Sequence, residues 1–368
     1  MVVPFMSLYL TRAKHFSISQ SGLVIAIFGG GAICGGILGG RLTDKLGFYN
    51  VQLSALIIGG IMFIVLGQMN SYIAICICTF ILSVLNESFR PANSTAVAHY
   101  SKEENRTRSY ALNRLSVNLG WAVGGALGGF IASKNYQLLF WIDGLTNIGA
   151  ALLLLAVLAP ARNEHTPSKS DIKPIERSHS AYKDKTYLAF VVFTVLFAYC
   201  IYQVFSMQPL FYNRVLHLSP FVIGLIMAMN GILIALFEMV IIFNLEGKRN
   251  KLHYITLGAL LVGISFIIYN IFPGSLYLAI FGTLIFTIGE MLTMSFMNSY
   301  WIARTSATNR GQYAGLYTVA WSTAQVLGPG TGSLIAEHWG FTVLWWVVGG
   351  ISILSAIGFN WLKQFNTQ

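Results

Sequence analysis

Charged residues are scarce in this sequence. Only 10% of the 368 residues are Asp, Glu, Lys or Arg, whereas 55% are hydrophobic and 14% are aromatic. Soluble proteins carry about 25% charged residues, so this chain has too few charges to cover a surface that faces water. Most of the surface must therefore face lipid. The composition predicts an integral membrane protein and argues against a soluble enzyme.

Residues that hold metals, disulfides or nucleotides are few or are wrongly spaced. The four cysteines lie inside apolar runs without metal-ligand spacing, which argues against a disulfide framework or a zinc site. The chain has no His-Glu-x-x-His pair for a metalloprotease and no Gly-x4-Gly-Lys-Ser/Thr loop for ATP. We therefore expect no metal and no cofactor. The cysteines are Cys34, Cys76, Cys78 and Cys200.

The net charge of +10 is distributed among short loops and forms no continuous face, so no nucleic-acid partner is expected. Most of the 23 Lys and Arg residues fall on one side of the membrane when the loop at 41–50 is taken as cytoplasmic. By the positive-inside rule this pattern predicts a multi-pass protein of the plasma (inner) membrane. Both termini of the full-length protein are then cytoplasmic.

Long apolar runs dominate the sequence. Each has about the 20 residues that a helix needs to cross ~30 Å of hydrocarbon. The runs are continuous and lack the two-residue alternation of barrel strands, so they predict α-helices. Eleven runs lie near residues 20–40, 51–69, 72–95, 110–132, 137–159, 187–208, 219–243, 252–272, 275–303, 312–336 and 340–362.

Residues 2–10 have the composition of the end of a twelfth helix. The beginning of this helix would lie before Met1, so we expect a first helix that lacks its first half. A misassigned start, a shortened chain and a genuine loss are all open explanations.

An internal repeat divides the chain. Gly22-Leu23 recurs as Gly224-Leu225 at an offset of 224 − 22 = 202 residues. The long hydrophilic stretch at 161–186 separates the two copies. We predict two pseudo-symmetric six-helix halves, 1–160 (with the incomplete first helix) and 187–368, joined by a cytoplasmic linker at 161–186.

The loop after the first full run resembles a signature of the major facilitator superfamily, Gly-x-x-x-Asp-Arg/Lys-x-Gly-Arg/Lys-Arg/Lys. Phe48 and Tyr49 replace its last two basic residues. The resemblance implies a loop that closes the cytoplasmic side, in which Asp44 caps the next helix and attracts basic partners. An ordinary positively charged turn is the alternative. The matching residues are Gly40, Asp44, Lys45 and Gly47.

The first of two glycine-rich runs resembles the superfamily signature Gly-x8-Gly-x3-Gly-Pro-x2-Gly-Gly, which is associated with exporting antiporters, and the second run keeps a Gly-Pro pair. In the first run the initial Gly and the Pro are replaced. Small residues at such spacing let helix backbones touch and pivot during alternating access, and static packing is the alternative. The residues are Gly120, Gly124, Gly128 and Gly129 in the first run, and Gly328, Pro329 and Gly332 in the second.

Five charged residues lie at least five residues from either end of an apolar run, where a charge costs ~2.5–3.5 kcal/mol and usually faces a cavity or a partner. Glu87 and Arg90 are three residues apart and form a plausible ion pair. Glu290 lies near the middle of its run and is the preferred candidate for binding a proton or another coupling ion. Asp143 and Glu238 lie nearer the ends of their runs, where solvation at the membrane surface is the alternative.

The sequence around Glu87, Arg90 and Glu290 also resembles drug:proton antiporters of the superfamily. The resemblance implies a twelve-helix fold and a transporter, expected to be a monomer in lipid, that exchanges a small amphipathic solute for protons. Two alternatives stay open at this point. One is an importer of a nutrient on the same fold, and the other is a membrane sensor or lipid-handling protein without transport.

Overall fold

The computed structural model describes residues 2–101, 106–158, 180–272, 274–304 and 310–365. Residues 161–179, most of the predicted linker, lie outside the described part. The described chain is helical, as the sequence predicted. Its α-helices are α1 Val2–Leu8, α2 Ile18–Leu46, α3 Phe48–Gln68, α4 Tyr72–Tyr100, α5 Arg106–Lys134, α6 Tyr136–Val157, α7 Lys185–Ser206, α8 Gln208–Arg214, α9 Pro220–Leu245, α10 Lys251–Ile271, α11 Leu276–Ala303, α12 Arg310–His338 and α13 Gly340–Leu362.

Eleven of these helices are long, and each coincides with one of the eleven apolar runs. Ten of the eleven are long and apolar enough to cross a membrane by themselves. The exception, α12, is the helix that carries the second glycine-rich run. Large apolar side chains remain exposed along the outside of the bundle, Phe243 at 85% and Leu236 at 62%. Such a surface requires lipid rather than water.

The helix starts reveal the internal repeat. Ser17 caps α2 by accepting from the backbone N–H of Gln20, and Ser219 caps α9 by accepting from that of Val222. His15 and His217, two residues before each cap, both adopt a left-handed conformation, with φ of 58° and 55°. The two histidines are 217 − 15 = 202 residues apart, which matches the offset of the repeat. The repeated sequence therefore forms a repeated turn.

The helices α1 and α7 both end at an irregular turn. A π-helical turn, Tyr9–Ala13, follows α1, and Met207 separates α7 from α8. The segment α1 packs against α2, α7 and α8. Leu8 and Leu10 are fully buried there. This segment therefore lies inside the bundle, next to both halves.

In the described chain, the long N-terminal helices pack against the long C-terminal ones mainly in two pairs, α2 with α12 and α5 with α9. A Cβ placed on Gly22 would overlap the Ser333 side chain, and one placed on Gly224 would lie 2.7 Å from the Cα of Gly129. Gly22 and Gly224 are the repeated glycines of the sequence. Each copy therefore supplies the glycine that permits close approach to the other half.

Among the described residues, α2 and α12 are in contact at the end of the bundle that holds Ser17. There the backbone and hydroxyl of Ser19 on α2 both donate to the Glu337 carboxylate on α12. Gly22, Gly29 and Gly36 are spaced by seven residues and lie on one face of α2. Gly29 packs on Gln325 of α12. No described atom lies within 4 Å of a Cβ placed on Gly36. We call the two ends the Ser17 end and the Asp44 end; α2 and α12 separate towards the Asp44 end.

Candidate functional site

An ion pair lies on α4, a little beyond the middle of this helix along the chain. The Nε of Arg90 is 2.9 Å from the Oε2 of Glu87, which matches the pairing predicted from their three-residue spacing. Pro91 follows inside the same helix. Because proline lacks an N–H, it leaves the carbonyl four residues earlier, that of Glu87, without its helical donor. The pair therefore occupies a polar, interrupted part of α4.

The opposite wall comes from α7 and α12 in the other half. Tyr202 of α7 lies near both Glu87 and Arg90. Its hydroxyl donates to Oε1 of Gln325 at 3.4 Å, and its ring lies 6.2 Å from that of Trp321. The site between the halves, which we call the central site, thus has the ion pair of Glu87 and Arg90 on one side. On the other side it has an aromatic and amide wall of Tyr202, Trp321 and Gln325.

A cavity of about 410 Å³ opens among α1, α3, α4, α5 and α6. Asp143 lies on its wall, is 8% exposed and accepts a 2.7 Å hydrogen bond from the backbone N–H of Val2. The interpretation of Asp143 as a solvated group at the membrane surface is therefore wrong, because α1 covers it. The other lining residues are Val3, Pro4, Ala55, Leu56, Phe63, Asn86, Phe89, Val117, Gly120, Trp121, Gly124 and Asn147.

Glu290 lies half-buried between α11 and α9. The amide of Asn230 on α9 donates to its Oε2 at 3.1 Å and to the hydroxyl of Thr287 at 2.9 Å. Glu290 is 14 residues from the start of the 28-residue α11, or about 21 Å at 1.5 Å per residue. The carboxylate therefore sits near the middle of the helix, where the sequence placed it, with a polar partner on a neighbouring helix.

Glu238 lies further along the same helix interface. It is 5% exposed, and the hydroxyl of Ser295 on α11 donates to its Oε1 at 2.5 Å. The alternative that Glu238 reaches the lipid headgroups is therefore wrong, since it points inward between two helices. The position of Glu238 along α9 indicated its depth in the membrane but not the direction in which its side chain points.

The signature loop is a tight turn between α2 and α3. Gly47 has φ of 82°, a conformation that favours glycine, and it joins the two helices directly. Asp44 and Lys45 are exposed in the last turn of α2, and a Cβ on Gly40 would meet nothing within 4 Å. The expected capping of the next helix by Asp44 is wrong, because Gly47 is the N-cap residue of α3 and no side chain caps this helix.

The glycines of the first glycine-rich run divide between two environments. Gly129 packs on Gly224 of α9, and Gly128 is buried beside it. Gly120 and Gly124 instead line the cavity, and a Cβ on Gly120 would meet nothing within 4 Å. Gly120 therefore takes no part in helix packing in this conformation.

The second glycine-rich run lies between α2 and α7. Gly328 and Gly332 face α7, where a Cβ on Gly332 would lie 2.5 Å from the Gln203 side-chain oxygen. The carbonyl of Pro329 faces Gly22 of α2. Pro329 also leaves the carbonyl of Gln325 without its helical donor, as Pro91 does for Glu87. Both walls of the central site therefore contain a helix that is interrupted by proline.

Sequence reasoning missed a charged cluster at the Asp44 end. Arg304, at the end of α11, donates to Asp184 at 2.9 Å, and the hydroxyl of Tyr313 on α12 donates to the same oxygen at 3.0 Å. Burial opposes the charge on Asp184, but the Tyr187 backbone N–H, Arg304 and Tyr313 together hold the pKa of Asp184 below its usual value. The only signal in the sequence was an acidic residue directly before an apolar run, the pattern of a helix cap.

Within the described residues, no group of three or more His, Cys, Asp and Glu side chains is placed to hold a metal ion. The chemistry that these residues offer is therefore that of carboxylates, a guanidinium, amides and hydroxyls. Such groups bind solutes and protons by charge and hydrogen bonds.

Comparison with known proteins places the chain in a family of transporters. Residues 1–329 match the family model of the Major Facilitator Superfamily. The chain is 24% identical to the uncharacterized MFS-type transporter YqjV of Bacillus subtilis (strain 168), over 100% of this chain and 92% of that protein. It is 21% identical to a Na(+), Li(+), K(+)/H(+) antiporter of Planococcus maritimus, over 98% and 91%. It is 19% identical to the quinolone resistance protein NorA of Staphylococcus aureus (strain MRSA252), over 89% and 84%.

Solved structures show the same fold. The crystal structure of a POT family transporter in complex with 5-aminolevulinic acid has a TM-score of 0.80 at 14% identity, covering 99% of this chain and 93% of that one. The nucleoside transporter NupG has a TM-score of 0.80 at 15% identity, covering 98% and 95%. These identities establish the fold alone. The family match shows that the chain is a multi-pass membrane transporter, not an enzyme, and that it belongs to the Major Facilitator Superfamily.

Proposed function

We propose that this transporter exports a small amphipathic solute in exchange for protons. The proposal places it in the plasma membrane with the Asp44 end in the cytoplasm, as the distribution of Lys and Arg indicates. Two relatives carry names that fit this reading, one a cation/H(+) antiporter and the other a quinolone resistance protein. The glycine signature of exporting antiporters supports the same direction.

The observation that carries the proposal is the placement of Glu290. Its carboxylate lies at mid-helix between α9 and α11, within hydrogen-bond distance of Asn230. Removing an ionised carboxylate from water is costly, so its proton occupancy changes when its access to either side of the membrane changes. In the proposed cycle Glu290 takes a proton from outside and releases it inside as the halves rock about the central site.

The test is transport into vesicles or proteoliposomes with and without an imposed pH gradient, using several chemically unlike amphipathic solutes. Glu290→Gln imitates the protonated carboxyl, so we expect it to abolish accumulation against a gradient while downhill exchange continues. Glu246→Gln is the matched control, because Glu246 is exposed at the end of α9. Glu238→Gln tests the other buried carboxylate of this interface.

Two outcomes contradict this assignment. If Glu290→Gln concentrates solute as well as the parent while Glu238→Gln does not, Glu238 is the coupling residue. If the pH gradient drives solute in the same direction as the protons, the protein is a symporter. The replacement of the signature proline of α5 by Gly125 is the observation that favours this second function.

A further inference from the structure

The ion pair on α4 presents its two charges unequally. The Arg90 side chain is 78% exposed, whereas that of Glu87 is 16% exposed. The pair is neutral as a whole, yet the group that a solute can reach is the guanidinium. To contact Glu87 instead, a solute would have to displace Arg90 or enter the packed side of α4.

The exposed guanidinium lies near an aromatic wall. Tyr202 is close to Arg90, and its ring neighbours that of Trp321. Trp121 of α5 and Phe205 of α7 extend the aromatic surface, with ring centroids 5.3 Å apart across the two halves. A solute between the halves would therefore find a positive group on one side and aromatic rings on the other.

We propose that the central site binds an amphipathic anion or zwitterion, with the anionic group on Arg90 and the apolar part on the wall of Tyr202 and Trp321. A planar guanidinium forms paired, charge-assisted hydrogen bonds with a carboxylate, phosphate or sulfonate. Arg90 is thus a specificity-determining residue of the transporter. This inference rests on the proposed function, since it names the class of solute that is carried.

Three carboxylates of the described helices, those of Asp143, Glu290 and Glu238, are much less exposed than the Arg90 side chain. Asp143 accepts from the Val2 backbone beside the cavity of the N-terminal half, and Glu290 accepts from Asn230 between α9 and α11. Glu238 is covered beside Ser295. These carboxylates accept hydrogen bonds within the protein, whereas the guanidinium of Arg90 is largely exposed and lies near Tyr202 of the other half. Among these described charges, the accessible one near the aromatic wall is therefore positive.

The test measures binding of three naphthalene probes of similar size to the purified full chain in nanodiscs, by calorimetry or by quenching of tryptophan fluorescence. The probes are 1-naphthoate, 1-naphthamide and 1-naphthylmethylammonium, which are anionic, neutral and cationic. We expect 1-naphthoate to bind at least about tenfold more tightly than the other two, because a charge-assisted hydrogen bond is stronger than a neutral one.

Variants separate the roles of the two charges. Arg90→Gln should lower the affinity for 1-naphthoate about tenfold and leave that for 1-naphthamide unchanged, and Arg90→Lys should restore part of the loss. Glu87→Gln should strengthen binding of 1-naphthoate, because Arg90 is then no longer neutralised. Arg214→Gln, on an exposed arginine at the end of α8, is the matched control. Unchanged elution in size-exclusion chromatography checks the fold of each variant.

Several results would overturn the inference. They are tighter binding of the ammonium probe, equal binding of all three probes, weaker binding of 1-naphthoate by Glu87→Gln, and no binding of 1-naphthoate at millimolar concentration. Binding is measured without any gradient, so it fails or succeeds independently of proton-driven export. A protein that binds anions through Arg90 but shows no exchange for protons would contradict the proposed function and leave this inference standing.

Discussion

At the scale of the single residue, Asp184 joins three helices through one carboxylate. It caps α7 by accepting from the Tyr187 backbone N–H at 3.0 Å, and it receives Arg304 from α11 and Tyr313 from α12. These donors stabilise the ionised form and keep the pKa of Asp184 below its usual value. A carboxyl with a lowered pKa in the folded state contributes stability above its unfolded pKa. That contribution is lost as the pH falls through the folded pKa.

Asp184→Asn tests this junction. Asparagine caps a helix about as well as aspartate, so the substitution keeps the cap and removes the charge that pairs with Arg304. We expect a loss of about 1–3 kcal/mol in the free energy of unfolding at neutral pH. The loss should shrink as the pH falls through the folded pKa of Asp184, since the parent carboxyl then also becomes neutral. Thermal unfolding in detergent at several pH values measures it.

Glu246→Gln serves as the control for Asp184→Asn, because its side chain is an exposed carboxylate at the same end of the bundle. It should change the unfolding temperature little at any pH. An equal loss for Asp184→Asn at acidic and neutral pH would show that the ion pair does not stabilise the fold.

At the scale of the element, the crossing of α5 and α9 depends on glycine. A Cβ on Gly224 would lie 2.5 Å from the Gly125 carbonyl oxygen and 2.7 Å from the Cα of Gly129. These are backbone atoms, so the helices would have to move apart. The sequence repeat singled out Gly224, and the structure explains why: the equivalent Gly22 makes the corresponding crossing between α2 and α12.

Gly224→Ala should therefore lower the free energy of unfolding by about 1–3 kcal/mol, as overpacking does, and should slow transport. Gly120→Ala is the matched control, because nothing lies within 4 Å of its Cβ position. In a helix alanine is favoured over glycine by up to about 1 kcal/mol, so Gly120→Ala should be neutral or stabilising. Thermal unfolding and vesicle transport of both variants provide the comparison. Changes of opposite sign in the free energy of unfolding of the two variants would support the role of Gly224 in the helix crossing. Equal changes would contradict it.

At the scale of the whole molecule, the halves are joined at the Ser17 end and α2 diverges from α12 towards the Asp44 end. The contact of Ser19 with Glu337 belongs to the joined end. The signature loop with Asp44 lies at the other end, where its side chain is exposed. We infer that Asp44 acts when the halves close at its own end, as alternating access requires.

Asp44→Asn should then leave membrane insertion and the unfolding temperature intact, because an exposed charge contributes little to stability. Transport should become slow or undetectable, because the variant lacks the carboxylate charge that attracts basic partners when the Asp44 end closes. Glu246→Gln is again the control, because Glu246 is an exposed carboxylate at the end of α9 and lies outside the signature loop. Turnover of Asp44→Asn at the rate of the parent protein would refute a gating role.

The sequence by itself determined the class of the protein, the positions of eleven long helices and the family. Each of these follows from local properties: the length and continuity of apolar runs, and the spacing of residues within one loop. The pair of Glu87 and Arg90 was also predictable, because a three-residue spacing makes neighbours on any helix. The repeat at 202 residues marked Gly22 and Gly224 as equivalent.

Only the tertiary structure decided which helix face meets which. Helical periodicity fixes the faces of α6 and α9 but not their neighbours, so it could not show that α1 covers Asp143 or that Ser295 meets Glu238. Tyr202 and Arg90, which lie on opposite sides of the central site, are 112 residues apart in sequence (202 − 90 = 112). Likewise, Gly120 and Gly129 share one motif but lie in different surroundings. Contacts of this kind arise from the packing of separate helices, which no single stretch of sequence specifies.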